Sequence, residues 1–273
     1  MQQRLRTAWD LARDVQRRFA AARGSNLAAA IAFRGYLALF AILVLAVAVA
    51  GFVNASGRDV ADWIIHALGL TGSAETTVIH AVDRAQSSRS ATTIIGLLGL
   101  VWTGTGLAAS ISYAWNAAWA IPGGGMRGRA RGVLWMLASA AFALFAVAMT
   151  TVLTAHRLHW ALAILGGIAA DLGLVVITAL LLPGRRIPWR GVVPGAVVAA
   201  LGLSLTRLAG AQVLTRLVLH SSSVYGSIGV FFALLLWMLV IGYIITIAAF
   251  VEVTAWTHRR GTITREVEVP APR

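Results

Sequence analysis

The sequence predicts an all-α integral membrane protein: a six-transmembrane-helix bundle with an N-terminal amphipathic interfacial helix and a short helical pair between spans one and two. Three observations carry that prediction. Six apolar segments each reach about 20 residues or more, the length a helix needs to cross a hydrocarbon core of roughly 30 Å. Charged residues make up only 12% of the chain against 59% hydrophobic, with a mean hydropathy of +0.79, and a soluble domain typically carries about twice that charged fraction. The basic residues gather in alternate connections between the apolar segments, as membrane topology requires.

Residues 1–24 form the first element. Leu5, Ala8, Trp9, Ala12, Gln16 and Phe19 recur at helical spacing, with Arg4, Arg6, Arg13, Arg17 and Arg18 on other faces. A helix of this kind lies along an anionic membrane surface. It is too polar for the apolar region of a signal peptide, and no cleavage pattern follows it. The membrane domain is expected over 25–256, beginning with span one at 27–53. In the polar insert 54–90, Val60, Trp63, Ile64, Ala67 and Leu68 share one helix face, and Ser73 can cap a second short helix with Glu75 in its first turn. Neither is long enough to span, so the pair is expected to rest on, or lid, the membrane domain from the outer side.

Span two, at 91–120, is rich in glycine (Gly96, Gly99, Gly104 and Gly106), which lets a neighbouring backbone come close. Pro122 and Gly123 to Gly125 break the chain before span three at 132–155. A polar turn, 156–159, leads to span four at 160–182, which Pro183-Gly184 stops. Span five, at 191–214, carries Gly191-x-x-x-Gly195, and 215–223 is read as its connection to span six at 227–256. A polar tail, 257–273, ends the chain.

All 23 basic residues are arginine, and the formal net charge is +13. With the N-terminus in the cytoplasm, that side holds six Arg before span one, three at 127–131, three at 185–190 and four in the tail, 16 in all, against five on the other side. The positive-inside rule therefore puts both termini in the cytoplasm. Short basic loops bordering a membrane are not the aromatic-lined groove that nucleic acid would need, so nucleic acid is not an expected partner. The chain has no Cys, hence no disulfide, thiolate metal site or Cys nucleophile. It shows no phosphate-binding glycine loop and no Gly-x-Ser-x-Gly. His156, His159 and His220 are too dispersed to predict a metal site, and no cofactor is expected.

Ionisable groups inside a membrane are costly, so each is a candidate functional residue. Asp171 lies roughly 16 Å into span four from the outer side and Arg207 roughly 24 Å into span five from the inner side, at 1.5 Å per residue. They are expected to form an ion pair or share a polar cavity; the alternative is that Arg207 snorkels to the outer headgroups while Asp171 is hydrogen-bonded locally or protonated. Asn116 and Tyr113 complete this candidate intramembrane pathway, with interhelical hydrogen bonding as the commoner role for such groups. Arg34 and Glu252 share a depth near the cytoplasmic side and form a candidate inner clasp or gate; the alternative is two interface residues reaching water separately. Tyr225, Gly226 and Gly229 mark a candidate outer entrance.

The motifs LAAAIAFRGYLALF in span one, GLLGLVWTGTGLAASISYAWNAAW in span two, PGRRIPWRGVVPGAVVAA before and into span five, and YGSIG running through LLLWMLVIGYIITIAAFVE in span six resemble the BrkB/YihY/YhjD family of bacterial inner-membrane proteins, once labelled ribonuclease BN. The resemblance covers roughly residues 20–256. Members often have Pro where this chain has Ala41, and Gly-Ala where it has Phe250-Val251. The resemblance implies a six-span protein of the bacterial cytoplasmic membrane associated with envelope integrity, with lipid or lipopolysaccharide export proposed for some members. Ten scattered acidic residues do not make the clustered acid, base or metal site that RNA hydrolysis needs, so no enzymatic activity is expected. A transporter or flippase-like protein for an anionic or lipidic envelope component is the first expectation, and a non-transporting scaffold that binds lipids or partner proteins is the alternative. Membrane lipids, anionic ones first, are the expected partners; self-association is left open.

Overall fold

The computed structural model describes residues 2–52, 76, 79–80, 89–121, 125–153, 159–184, 187–225 and 227–260. The long elements among them are seven helices: α1 Gln2–Ala21, α2 Gly24–Phe52, α3 Arg89–Ala118, α4 Gly125–Leu153, α5 His159–Leu181, α6 Trp189–Tyr225 and α7 Ser227–Arg260. Helices α2 to α7 fall on the six predicted segments. Four of them hold stretches long and apolar enough to cross a membrane, at Gly24–Ile42, Gly96–Ala118, Trp189–Arg207 and Phe231–Arg259. The predicted helical insert lies outside the described residues, apart from Thr76, Ile79 and His80, which are helical, and the first residues of α3.

Several boundaries move. The expected connection at 215–223 is helical, because α6 continues to Tyr225; that stretch has no Gly or Pro to stop a helix. Arg127, Arg129 and Arg131 lie inside α4 rather than in the loop before it. At the far end, α7 continues past 256 to Arg260.

The helix ends have local causes. Between α1 and α2, Arg23 takes a left-handed conformation with φ of 52°, and its N–H bonds to the Ala20 carbonyl at 3.0 Å. A side chain on Gly24 would overlap the Phe19 ring, so only glycine lets α2 start this close to the end of α1. Past the end of α3, Ala120 takes φ of 50°, and Ile121 N–H reaches back to the Asn116 carbonyl at 2.8 Å. That six-to-one bond closes a Schellman cap, with alanine in the place glycine usually takes.

The chain divides into two compact units. The first comprises residues 1–28, 108–204 and 243–273. In it α1 docks through Phe19, whose ring stacks on Tyr243 at 6.0 Å and meets Phe250 edge-on at 5.7 Å. The half-buried stripe of α1 is Leu11, Asp14, Val15, Arg18, Phe19 and Ala22, while Trp9, Ala12 and Gln16 are exposed. The apolar face expected from spacing alone is therefore shifted: Phe19 belongs to the packed stripe, and Trp9 stands on the opposite face beside Arg13. Also in this unit, Trp135 of α4 donates its indole N–H to Thr178 Oγ1 of α5 at 2.9 Å, and Gly173 leaves room for the Phe142 ring.

The second unit comprises residues 29–107 and 205–242. Its described core is small and aromatic. Tyr36 meets Phe40 and Phe231 edge-on, each at 5.0 Å between centroids, and Gly35 sits against Met238 and Leu107. Ile94, Leu97, Leu98, Val101 and Trp102 of α3 are all exposed, the outward apolar face expected of a helix solvated by lipid.

Candidate functional site

In the first unit, α6 and α7 run together along a stripe of small residues. A side chain on Gly191 would come within 3.2 Å of the Trp119 ring and 3.3 Å of the Trp256 ring. One turn on, a Cβ at Gly195 would overlap the Ala248 carbonyl oxygen and Glu252 Cγ. Farther along, a Cβ at Gly202 would lie 2.8 Å from Ile244 Cγ2. Ala196, Ala199 and Ala200 are fully buried on the same helix. The backbones approach so closely because glycine and alanine leave nothing between them. Pro194, inside α6, has no N–H to offer the Arg190 carbonyl, so the helix also lacks one backbone bond beside this contact.

Glu252 stands in the middle of the seam with 0% of its surface exposed. Its Oε2 accepts a hydrogen bond from Trp115 Nε1 at 3.0 Å. Trp119, four residues on, also turns its indole N–H toward the carboxylate, but without hydrogen-bond geometry, so Trp119 Nε1 and Glu252 Oε1 are both buried and unpartnered. Three helices thus build one site: Trp115 on α3 with Trp119, four residues on, just past its end, Gly191 and Gly195 at i and i+4 on α6, and Glu252 on α7. The only hydrogen bond described to the carboxylate comes from a neutral indole.

Arg34, the residue expected to clasp Glu252, donates from Nη1 to the Gly106 carbonyl at 2.5 Å and contacts Gly106 along its guanidinium. It therefore ties α2 to α3 within the second unit, and each member of the expected clasp has its own described partner. Asp171, in α5, is buried at 6% exposure and accepts from Ser204 Oγ of α6 at 3.2 Å, with a further interaction besides. Arg207 is exposed, lies three residues beyond Ser204 on α6, and also has a partner.

Asn116 is buried and works at a turn. Its Oδ1 accepts from Gly184 N–H at 2.9 Å, Ser112 Oγ donates to the Leu182 carbonyl at 2.9 Å, and Arg131 donates to the Pro183 carbonyl. Three consecutive backbone groups after α5 are thereby held by α3 and α4. Such groups are left over wherever a helix ends, and each needs a partner when buried. Tyr113, on the same helix, is 63% exposed and points away from this network. Of the expected outer entrance, Gly226 lies outside the described residues, while Tyr225 ends α6 and Gly229 lies in the first turn of α7. Among the described residues no three His, Asp or Glu side chains gather as a metal site.

Long apolar helices carrying buried carboxylates, with large outward apolar faces, define an integral membrane protein. The family model described as "Virulence factor BrkB" matches residues 15–269, and the chain belongs to that family. Neither curated proteins nor solved structures give a match.

Proposed function

We propose that this BrkB-family protein spans the bacterial cytoplasmic membrane six times with both termini in the cytoplasm, and that it moves an anionic or lipidic envelope component across. The observation that carries this reading is the pair of acids buried in apolar helices, Asp171 and Glu252. Carboxylates are retained at such depth where a pathway or a relay uses them. The 16-to-5 arginine bias supports the orientation and gives the inner face an attraction for anionic headgroups. The exposed face of α1, with Trp9, Arg13 and Arg17, suits the same surface.

The experiment is reconstitution into liposomes containing labelled anionic phospholipid, comparing wild type with Asp171→Asn and Arg207→Ala. Wild type is expected to move label faster than empty liposomes, and both variants to slow it. Movement equal to that of empty liposomes in all three sinks the transporter reading. The second reading, a scaffold that binds lipid without moving it, draws support from the tight α6–α7 seam and the tied turn after α5, and it predicts that null result together with retained lipid binding.

A further inference from the structure

We propose that Glu252 is a proton-binding site, and that the proton is the ion whose binding and release is coupled to opening of the α6–α7 seam. This rests on the transporter reading for its purpose, but not for its chemistry. The surroundings select the ligand. A metal cation needs several oxygen ligands, supplied in membrane proteins by unwound backbone and side-chain oxygens. Here α7 is helical without a break from Ser227 to Arg260, and the polar groups turned toward the carboxylate are two indole N–H donors, whose positive ends repel a metal ion. A proton needs no coordination shell and no space.

The same donors suit both forms of the acid. With the proton on Oε1, Oε2 keeps the Trp115 bond that it already accepts. When the proton leaves to water, Oε1 becomes a full acceptor and Trp119 Nε1, buried and unpartnered beside it, can supply the second bond. The site thus holds one donor in use and one in reserve. Among the described residues no titratable side chain contributes to it: α3 and its C-terminal cap offer Trp115 and Trp119, α6 offers Gly191 and Gly195, and α7 offers Ala248 and Trp256. Asp171, the other buried acid, is bonded to Ser204 instead. Because Glu252 is fully covered, its proton can reach water only if the seam parts, and the missing Pro194 bond gives α6 a place to bend there.

Infrared difference spectroscopy of the full chain in phospholipid vesicles, recorded between acidic and alkaline buffer, tests this directly. A protonated-carboxyl band that appears and disappears with pH is expected in wild type and in Asp171→Asn, and is expected to be lost in Glu252→Gln. Trp119→Phe is expected to keep the band but move the pH at which it changes, whereas a merely structural indole would leave that pH where it is. Glu252→Asp keeps the acid and should restore a band, which guards against misreading a Gln variant that folds poorly. An unchanged difference spectrum in well-folded Glu252→Gln overturns the proposal. Labelled lipid in the same vesicles separates the two readings: a Glu252 band without lipid movement leaves the proton site and sinks the transporter, and lipid movement without a Glu252 band does the reverse.

Discussion

Glu252 and Asp171 are both carboxylates set in apolar helices of the same unit, yet their surroundings differ in kind. Asp171 is met by a flexible hydroxyl, Ser204 Oγ at 3.2 Å, and has another partner as well. Glu252 is met by two rigid indoles and by bare backbone where α6 closes on it. A hydroxyl can rotate to follow a moving carboxylate or to take its proton bond in either direction, whereas an indole only donates and cannot turn without repacking its ring. The Asp171 environment tolerates change; the Glu252 environment stays as it is unless the helices separate.

The widest test of that contrast is Gly195→Leu. The added side chain would overlap both the Ala248 carbonyl and Glu252, and neither a backbone carbonyl nor the rigid seam can give way. Overpacking a dense core costs about 1–3 kcal/mol or more, and here it acts on a contact that holds two helices together. We expect loss of the monodisperse peak in detergent size-exclusion chromatography or a large fall in melting temperature. Gly128→Leu, at a position with open space around it, should leave both unchanged. Equal behaviour of the two variants would show that the seam is not the tight element.

Much of this arrangement was legible in the sequence, and the part that was not has a physical reason. Apolar length and the Pro and Gly breaks placed α2 to α7, and span five visibly carries Gly191-x-x-x-Gly195. The end of α6 was misplaced because Thr, Arg, His and Ser at 215–223 resemble a loop in composition, while nothing among them obliges a helix to stop. The partners of Glu252 were missed for a different reason. Depth pairs it with Arg34, since opposite charges at one level attract, but depth says nothing of azimuth, and the face of α7 carrying Glu252 meets α3 and α6. Trp119 and Trp256 both fill the space opposite Gly191, although a Trp near a span end suits the membrane interface by residue type. A Trp pair at i and i+4 opposite a Gly pair at the same spacing was the available signal.

The next test removes the acid and not the fit. Glu252→Ala leaves Trp115 Nε1 without its acceptor and opens space in the seam, whereas Glu252→Gln keeps an acceptor of nearly the same shape. A buried donor stripped of its partner costs about 1–3 kcal/mol, and the lost side-chain packing adds to it. Thermal unfolding in detergent should therefore rank wild type and Gln close together with Ala well below. If Ala and Gln are equally destabilised, the charge of Glu252 matters more than its geometry, and the indole bond is not what holds the seam.

The smallest effect expected is at the other acid. Ser204→Ala deletes one hydroxyl from a site where Asp171 retains another interaction. Hydrogen bonds between membrane helices average about 0.6 kcal/mol, because an opened helix finds other partners in the lipid-embedded chain. A shift of that size in the unfolding transition, well below that of Glu252→Ala, is the expected result. Its value lies in the direction of a second comparison: combining Ser204→Ala with Asp171→Asn should add little beyond Asp171→Asn alone if the hydroxyl acts only through the carboxylate. Full additivity would mean that Ser204 stabilises α6 by a route independent of Asp171, and the two acids would then differ less than their surroundings suggest.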